Sequence, residues 1–159
     1  MANLEYEHSF NVKSIEPFID YCKKNGYEKV SKTTQNRVVF ENKNNSKIIA
    51  RLTTEIFDDN EFTVIDFKNL SEKKDDLNIS TESLPMEVNS NNKESILSIL
   101  KTLEFFEVAN NLRVRYVFIK GNVKFEIDDY IRPQMKVVAV EGEREEVELV
   151  YENIKNLLN

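Results

Sequence analysis

The sequence predicts an α+β domain: an eight-stranded antiparallel β-barrel, closed or nearly closed, with helices packed against it. Three observations predict it. Charged residues fall on every second position of several strand-like runs, which gives a sheet one apolar and one charged face. The order strand, helix, three strands occurs twice along the chain, a repeat of architecture without a residue-level repeat. Three amphipathic helices carry apolar stripes that need cover, and the apolar faces of the strands are the available partners. That arrangement turns the charged faces into the barrel, although a flat sheet with helices on one side and water on the other satisfies the same pattern.

The elements follow in order. Asn3–Val12 alternates Leu4, Tyr6, His8 and Phe10 with Glu5, Glu7 and Ser9, as a strand does. A helix follows, with Ser14 as N-cap, Pro17 in the first turn, Gly26 as the stop, and Ile15, Phe18, Ile19 and Cys22 as its stripe. Three strands are expected over Arg37–Glu41, Lys47–Thr54 and Phe62–Asn69, separated by the turn-rich segments Asn42–Ser46 and Asp58–Asn60. Ser71–Asp76 reads as a solvated charged loop. A fifth strand lies within Leu77–Val88, interrupted by Pro85. The second half starts with a helix over Lys93–Leu103, striped by Ile96, Ile99, Leu100 and Leu103 and closed by Phe105-Phe106. Three strongly alternating strands come next: Leu112–Phe118 around Arg113 and Arg115, Val123–Asp128 around Lys124, Glu126 and Asp128, and Val138–Glu141. A helix over Glu145–Leu158 ends the chain, with Val147, Val150, Tyr151, Ile154 and Leu158 inward.

Composition narrows the function. The 159 residues read as one domain, 1–159, large enough for a real core. A net charge of −6 argues against a broad nucleic-acid surface and leaves room for a local basic pocket. The single Cys22 excludes an intramolecular disulfide and a cysteine-based zinc cluster. No run is long and apolar enough for a membrane span and no signal-peptide core is visible, so the cytoplasm is the expected location. No P-loop, glycine-rich phosphate loop or serine–histidine–acid set is present. Phe57, Phe62 and Ile65 suit a core or a homodimer interface equally.

The charged faces carry Glu5, Glu7, Glu126, Asp128 and Glu141 as acids and Arg37, Arg51, Lys68, Arg113 and Arg115 as bases. Carboxylates from different strands form a partial cage for hard cations such as Mg²⁺ or Mn²⁺, and arginine and lysine neutralise phosphoryl oxygens. Acids on one wall and bases on the other suit a metal-bound polyphosphate. Blander readings stand beside this one. Glu5 and Glu7 also read as solvated acids on an edge strand, and Arg113 and Arg115 as cross-strand partners of Glu126 and Asp128. Asp66 and Lys68 share a face and read as a neutralising pair. His8 and Cys22 read as packed core residues.

These residues resemble the CYTH domains, or triphosphate tunnel metalloenzymes, which include class IV adenylate cyclases and thiamine triphosphatases. Glu5-Tyr6-Glu7 is similar to the first two acids of the family's ExExK signature, Lys47 to Arg51 (KIIAR) to its Leu-Arg-x-Arg strand, and Ile65 to Lys68 (IDFK) to its Leu-Thr-x-Lys strand. Arg113-Val114-Arg115 resembles its Lys-x-Arg, and Phe125 to Asp128 with Val140 to Gly142 its late acidic strands. The resemblance spans nearly the whole chain. It implies an eight-stranded tunnel in which Glu5, Glu7, Asp128 and Glu141 face one or two divalent cations, Mg²⁺ or Mn²⁺. Arg37, on the same charged face, joins Arg51, Lys68, Arg113 and Arg115 as the candidates for a triphosphate chain, and Glu5 and Glu7 are the catalytic candidates. The implied activity is metal-dependent processing of inorganic, nucleoside or thiamine triphosphate, with hydrolysis preferred over cyclisation; the alternative is a degenerate tunnel that binds an anionic ligand or a protein partner without turnover. Four positions depart from the pattern. Ser9 replaces the lysine of ExExK, Ile49 the first arginine of Leu-Arg-x-Arg, Asp66 the threonine of Leu-Thr-x-Lys, and Ala139 the first acid of the late acidic pair. No basic residue stands in 79–88.

Overall fold

The computed structural model describes residues 3–74 and 76–158. Its strands are β1 (Asn3–Asn11), β2 (Glu28–Asn42), β3 (Asn45–Phe57), β4 (Asn60–Lys74), β5 (Leu77–Glu82), the two-residue β6 (Met86–Glu87), β7 (Phe105–Lys120), β8 (Val123–Arg132) and β9 (Met135–Gly142). Helix α1 (Glu16–Lys24) follows β1, α2 (Lys93–Thr102) precedes β7, and α3 (Arg144–Ile154) follows β9 and ends in a 3₁₀ turn, Lys155–Leu158. The strands pair in the order β3-β2-β7-β8-β9-β1-β5-β4, and β4 pairs back onto β3. Every pairing is antiparallel. The result is the closed eight-stranded barrel that the alternation predicts, with β6 a short continuation of the β5 edge beyond Pro85.

Closure works because the barrel is turned inside out. Outward side chains of β7, β8 and β9, among them Phe118, Phe125, Ile127, Val138 and Val140, form one core with Phe18 and Cys22 of α1 and Val147, Val150 and Ile154 of α3. On the other side, Ala50 and Ile65 of β3 and β4 pack with Ile96 and Leu100 of α2, bordered by Phe40, Leu52, Phe67 and Phe105. Each such apolar side chain contributes about 1.5–3 kcal/mol of burial. The helices thus take the apolar faces and leave the charged faces to the lumen. Among the described residues no helix is long and apolar enough to cross a membrane.

Several boundaries differ from expectation. Asn42 makes the β2–β3 turn by accepting the backbone N–H groups of Asn44 and Asn45 on its side-chain oxygen, at 3.0 and 3.2 Å. The charged segment expected as a loop instead extends β4 to Lys74, with Glu72, Lys73 and Lys74 opposite Ile79, Asn78 and Leu77; Asp75 lies outside the described residues. Ladder hydrogen bonds to β5 outweigh the segment's polarity. Phe105 and Phe106 do not close α2 but open β7. Glu104, at φ 59°, turns the chain, and Phe105 then packs edge-on against Phe67. Only Ile96 and Leu100 of the α2 stripe are buried, leaving Ile99 and Leu103 exposed. Ser14 does not cap α1 in the usual geometry; its hydroxyl bonds the Glu16 carboxylate. Ile65 is core, while Phe57 and Phe62 are exposed.

Candidate functional site

Inward side chains along each strand alternate with outward ones, and one diagonal step in register per strand gathers them into tilted rings around the lumen. Three rings follow from the pairings. The first holds Thr53, Gln35, Arg115, Glu126, Glu141, Glu5, Glu82 and Asp66. It is an acidic ring, with five carboxylates to one arginine. The second holds Arg51, Arg37, Arg113, Asp128, Ala139, Glu7, Ser80 and Lys68, four bases against two acids. The third holds Ile49, Val39, Asn111, Tyr130, Val137, Ser9, Asn78 and Leu70 and carries no formal charge. One continuous lumen touches members of all three rings and holds about 250 Å³ of open space.

Where the acidic and basic rings meet, single oxygens of Glu5, Glu7 and Glu141 lie within 4.8 Å of one another, the spacing of a cation cage. Burial, then the charge of Glu126 and a hydrogen bond shared with it, pushes the Glu141 carboxyl up to about 10. Glu126 moves the other way: burial opposes its charge, but Arg115, the bond from Glu141 and Lys124 hold it well below the usual carboxylate range. Burial likewise raises Glu5 to about 7, although Lys68 pulls against it. Glu5 and Glu141 hold their protons because burial penalises their charge and neighbouring carboxylates add to the penalty. A divalent cation is the species that would relieve this, so the donor set fits one.

The basic ring is largely paired. Arg51 bonds Asp66 with two guanidinium nitrogens and reaches Glu82 at 2.8 Å. Lys68 donates to Glu5 at 2.7 Å and lies 3.4 Å from Glu82. Burial works against the Lys68 charge, but Glu7 and Glu5 keep its pKa above the ordinary value. Arg113 donates to Gln35 at 2.9 and 3.1 Å and to the Tyr130 hydroxyl at 2.6 Å, and stands 3.6 Å from Asp128. Arg115, reaching in from the acidic ring, takes both oxygens of Asp128 at 2.8 Å and Glu126 at 2.6 Å. Arg37 stands apart. Its Nε donates to Thr53 Oγ1 at 2.9 Å, and it makes no ion pair among the described residues. Burial, then Arg113, Arg115 and Arg51, lowers its pKa to about 9. It is still protonated at neutral pH, a cation held among cations.

The fold therefore brings Glu5, Glu7 and Glu141 together and lines the same lumen with Arg37, Arg51, Lys68, Arg113 and Arg115. Asp128 is not in the carboxylate cluster; the two arginines of β7 hold it. Asp66 and Lys68 do not pair with each other, because Asp66 takes Arg51 across β3 and β4 while Lys68 reaches Glu5 and Glu82. Arg113 and Arg115 line the lumen and are there paired with carboxylates, as the cross-strand reading expects. Glu82, Gln35 and Tyr130 escape a sequence reading: each is a lone polar residue outside the alternating charged runs, and only the register shows what it faces. His8 is a packed residue, 5% exposed and stacked on Tyr151 with ring centroids 4.1 Å apart.

By sequence the chain matches no family model and no curated protein. By structure it is similar to the PH1012 protein of Pyrococcus horikoshii OT3, with a TM-score of 0.75 at 20% identity over 97% of this chain and 89% of that one. It is also similar to HpAC1 of Hippeastrum, named for adenylyl cyclase and found to have a dominant triphosphatase activity: TM-score 0.64, 14% identity, 96% and 87% coverage. A chain of the Schizosaccharomyces pombe Mediator head module shares the fold at TM-score 0.66 and 9% identity, over 100% of this chain and 97% of that one. At these identities the likeness establishes the fold, which is the CYTH-like tunnel.

Proposed function

We propose that the tunnel binds a triphosphate compound together with Mg²⁺ or Mn²⁺ and hydrolyses it. The observation that carries this reading is the stacking of an acidic ring directly on a basic ring in one lumen, with three carboxylates at cation-cage spacing. Glu5, Glu7 and Glu141 would hold the cation, which when bound supplies Lewis-acid polarisation of a phosphoryl oxygen. Arg37, Arg51, Lys68 and Arg113 lie along the adjacent level, where their N–H donors meet the remaining phosphoryl oxygens and offset developing charge. Hydrolysis is favoured over cyclisation because the acidic ring opens to solvent beside Asn122, Lys124 and Glu143, giving water a direct approach. The two charged rings together carry more acids than bases, so a polyanion without a metal would meet net repulsion.

The test is product release from tripolyphosphate, ATP and thiamine triphosphate with Mg²⁺ or Mn²⁺, in wild type, Glu7→Gln and Arg37→Ala. Metal-dependent phosphate release that both variants lose supports the reading; no product from any of the three substrates sinks it. Binding without turnover is the second reading, favoured by the carboxylates that already occupy Arg51, Lys68, Arg113 and Arg115. Tight calorimetric binding of tripolyphosphate without product, and activity appearing in Ser9→Lys/Ala139→Glu, would select it.

A further inference from the structure

We infer that the tunnel's ligand carries an uncharged apolar organic group next to its phosphate chain, and that the third ring receives that group. This rests on the phosphate reading of the two charged rings. Val39, Ile49 and Leu70 lie on three adjacent strands, β2, β3 and β4, and give the lumen an apolar side there. Val137 stands on β9, across the barrel from β3 in the strand order. Asn111 and Tyr130 complete the ring with neutral polar groups.

Two further observations identify the occupant. The ring directly abuts the cations: Val39 stands opposite Arg51 in the β2–β3 register, and Ile49 opposite Lys68 in the β3–β4 register. Whatever covers this wall therefore continues into Arg37, Arg51 and Lys68, so its other end is anionic. Accessibility also changes along the lumen. Lys68, Arg113 and Asp128 of the basic ring are buried at 8%, 3% and 3%, while Leu70 is 41% exposed. The basic ring lies deep, and apolar surface lies at the end of the lumen away from the acidic opening, which suits a ligand that enters phosphate first from that end and leaves its organic end in the neutral ring. The cations that the family resemblance would place at this level are Ser9 and Ile49, so the ring offers nothing to a further phosphate and an apolar surface instead.

The experiment is calorimetric titration with Mn²⁺ present, comparing inorganic tripolyphosphate with the monophenyl ester of triphosphate. Wild type, Val39→Ser/Ile49→Ser and Leu70→Ser are compared, with circular dichroism confirming that each variant is folded. The expected result is roughly tenfold tighter binding of the ester by wild type. That preference should fall to about twofold or less in the double variant and decline partially in Leu70→Ser, with tripolyphosphate affinity unchanged. Leu70→Ser alters a half-exposed side chain and so tests the idea even if the double variant does not fold. Tripolyphosphate binding as tightly as the ester in wild type overturns this inference and leaves the phosphate reading standing. Binding of neither compound overturns both.

Discussion

Arg37→Met is expected to make the free protein more stable and its anion binding weaker. Arg37 makes no ion pair among the described residues and sits near Arg51, Arg113 and Arg115. The fall of its pKa from 12.5 to about 9 means that the folded state disfavours its charge. At about 1.36 kcal/mol per tenfold step, that is about 4–5 kcal/mol before screening. Arg37 is half-buried and faces an open lumen, so water screens much of it, and about 1–2 kcal/mol remains. Methionine keeps most of the stem volume and removes the charge, and the Thr53 hydroxyl left behind can turn to another partner. For a chain of this length the gain corresponds to a rise in melting temperature of about 3–6 °C. Its pH dependence has a definite sign. A base with a depressed folded pKa costs stability wherever both states are protonated, so the advantage of the variant is full at pH 7 and shrinks as pH rises through 9. The assay is thermal unfolding by circular dichroism at pH 7, with and without Mn²⁺ and tripolyphosphate. Ligand should raise the melting temperature of wild type by several degrees and that of the variant by much less. A free variant that melts below wild type by more than about 1 kcal/mol would refute the reasoning, since Arg37 would then be a satisfied structural ion.

Three other outcomes follow from the geometry. Because burial raises Glu5 to about 7 and Glu141 to about 10 and both must lose their protons to hold a cation, Mn²⁺ affinity should fall as pH drops from 8 to 6, with nearly two protons released per ion near pH 6.5; calorimetry in buffers of different ionisation enthalpy reads this directly, and pH-independent affinity would contradict it. Burial lowers the His8 pKa below 6.5, so the native state binds fewer protons and stability is lost as pH falls through 6.5. His8→Phe keeps the stack on Tyr151, and its urea midpoint should decline less than that of wild type between pH 7 and 5.5. Gly142 has φ 154°, and a Cβ there would lie 2.7 Å from the Asn122 carbonyl oxygen. Gly142→Ala should therefore cost about 1–3 kcal/mol, by denaturant titration, and displace the neighbouring Glu141 enough to weaken Mn²⁺ binding.

The alternation around Arg113, Arg115, Glu126 and Asp128 is enough to read which side chains share a face, because side-chain direction in a strand is local, and closure of the barrel then turns that face inward. The heights of those side chains in the tunnel were not legible. Whether Glu141 stands level with Glu5, or Ile49 with Val137, depends on register and tilt accumulated over eight strands, fixed by pairings such as Arg37 with Asn111 that lie far apart in sequence. Asp128 stands level with Glu7 but two strands away, across Ala139 of β9, and the arginines of β7 take it. The same limit explains Asp66. In sequence it replaces a threonine hydroxyl beside Lys68; in the barrel it faces Arg51 and takes its guanidinium with both oxygens. A change that reads as the loss of a small donor is, in the fold, the capture of a cation. On the proposed reading, the tunnel's attraction for a polyanion is set by the bases left uncaptured more than by their number, and Arg37, one of ten arginine, lysine and acid residues singled out by the alternation, is the position whose loss should weaken binding most.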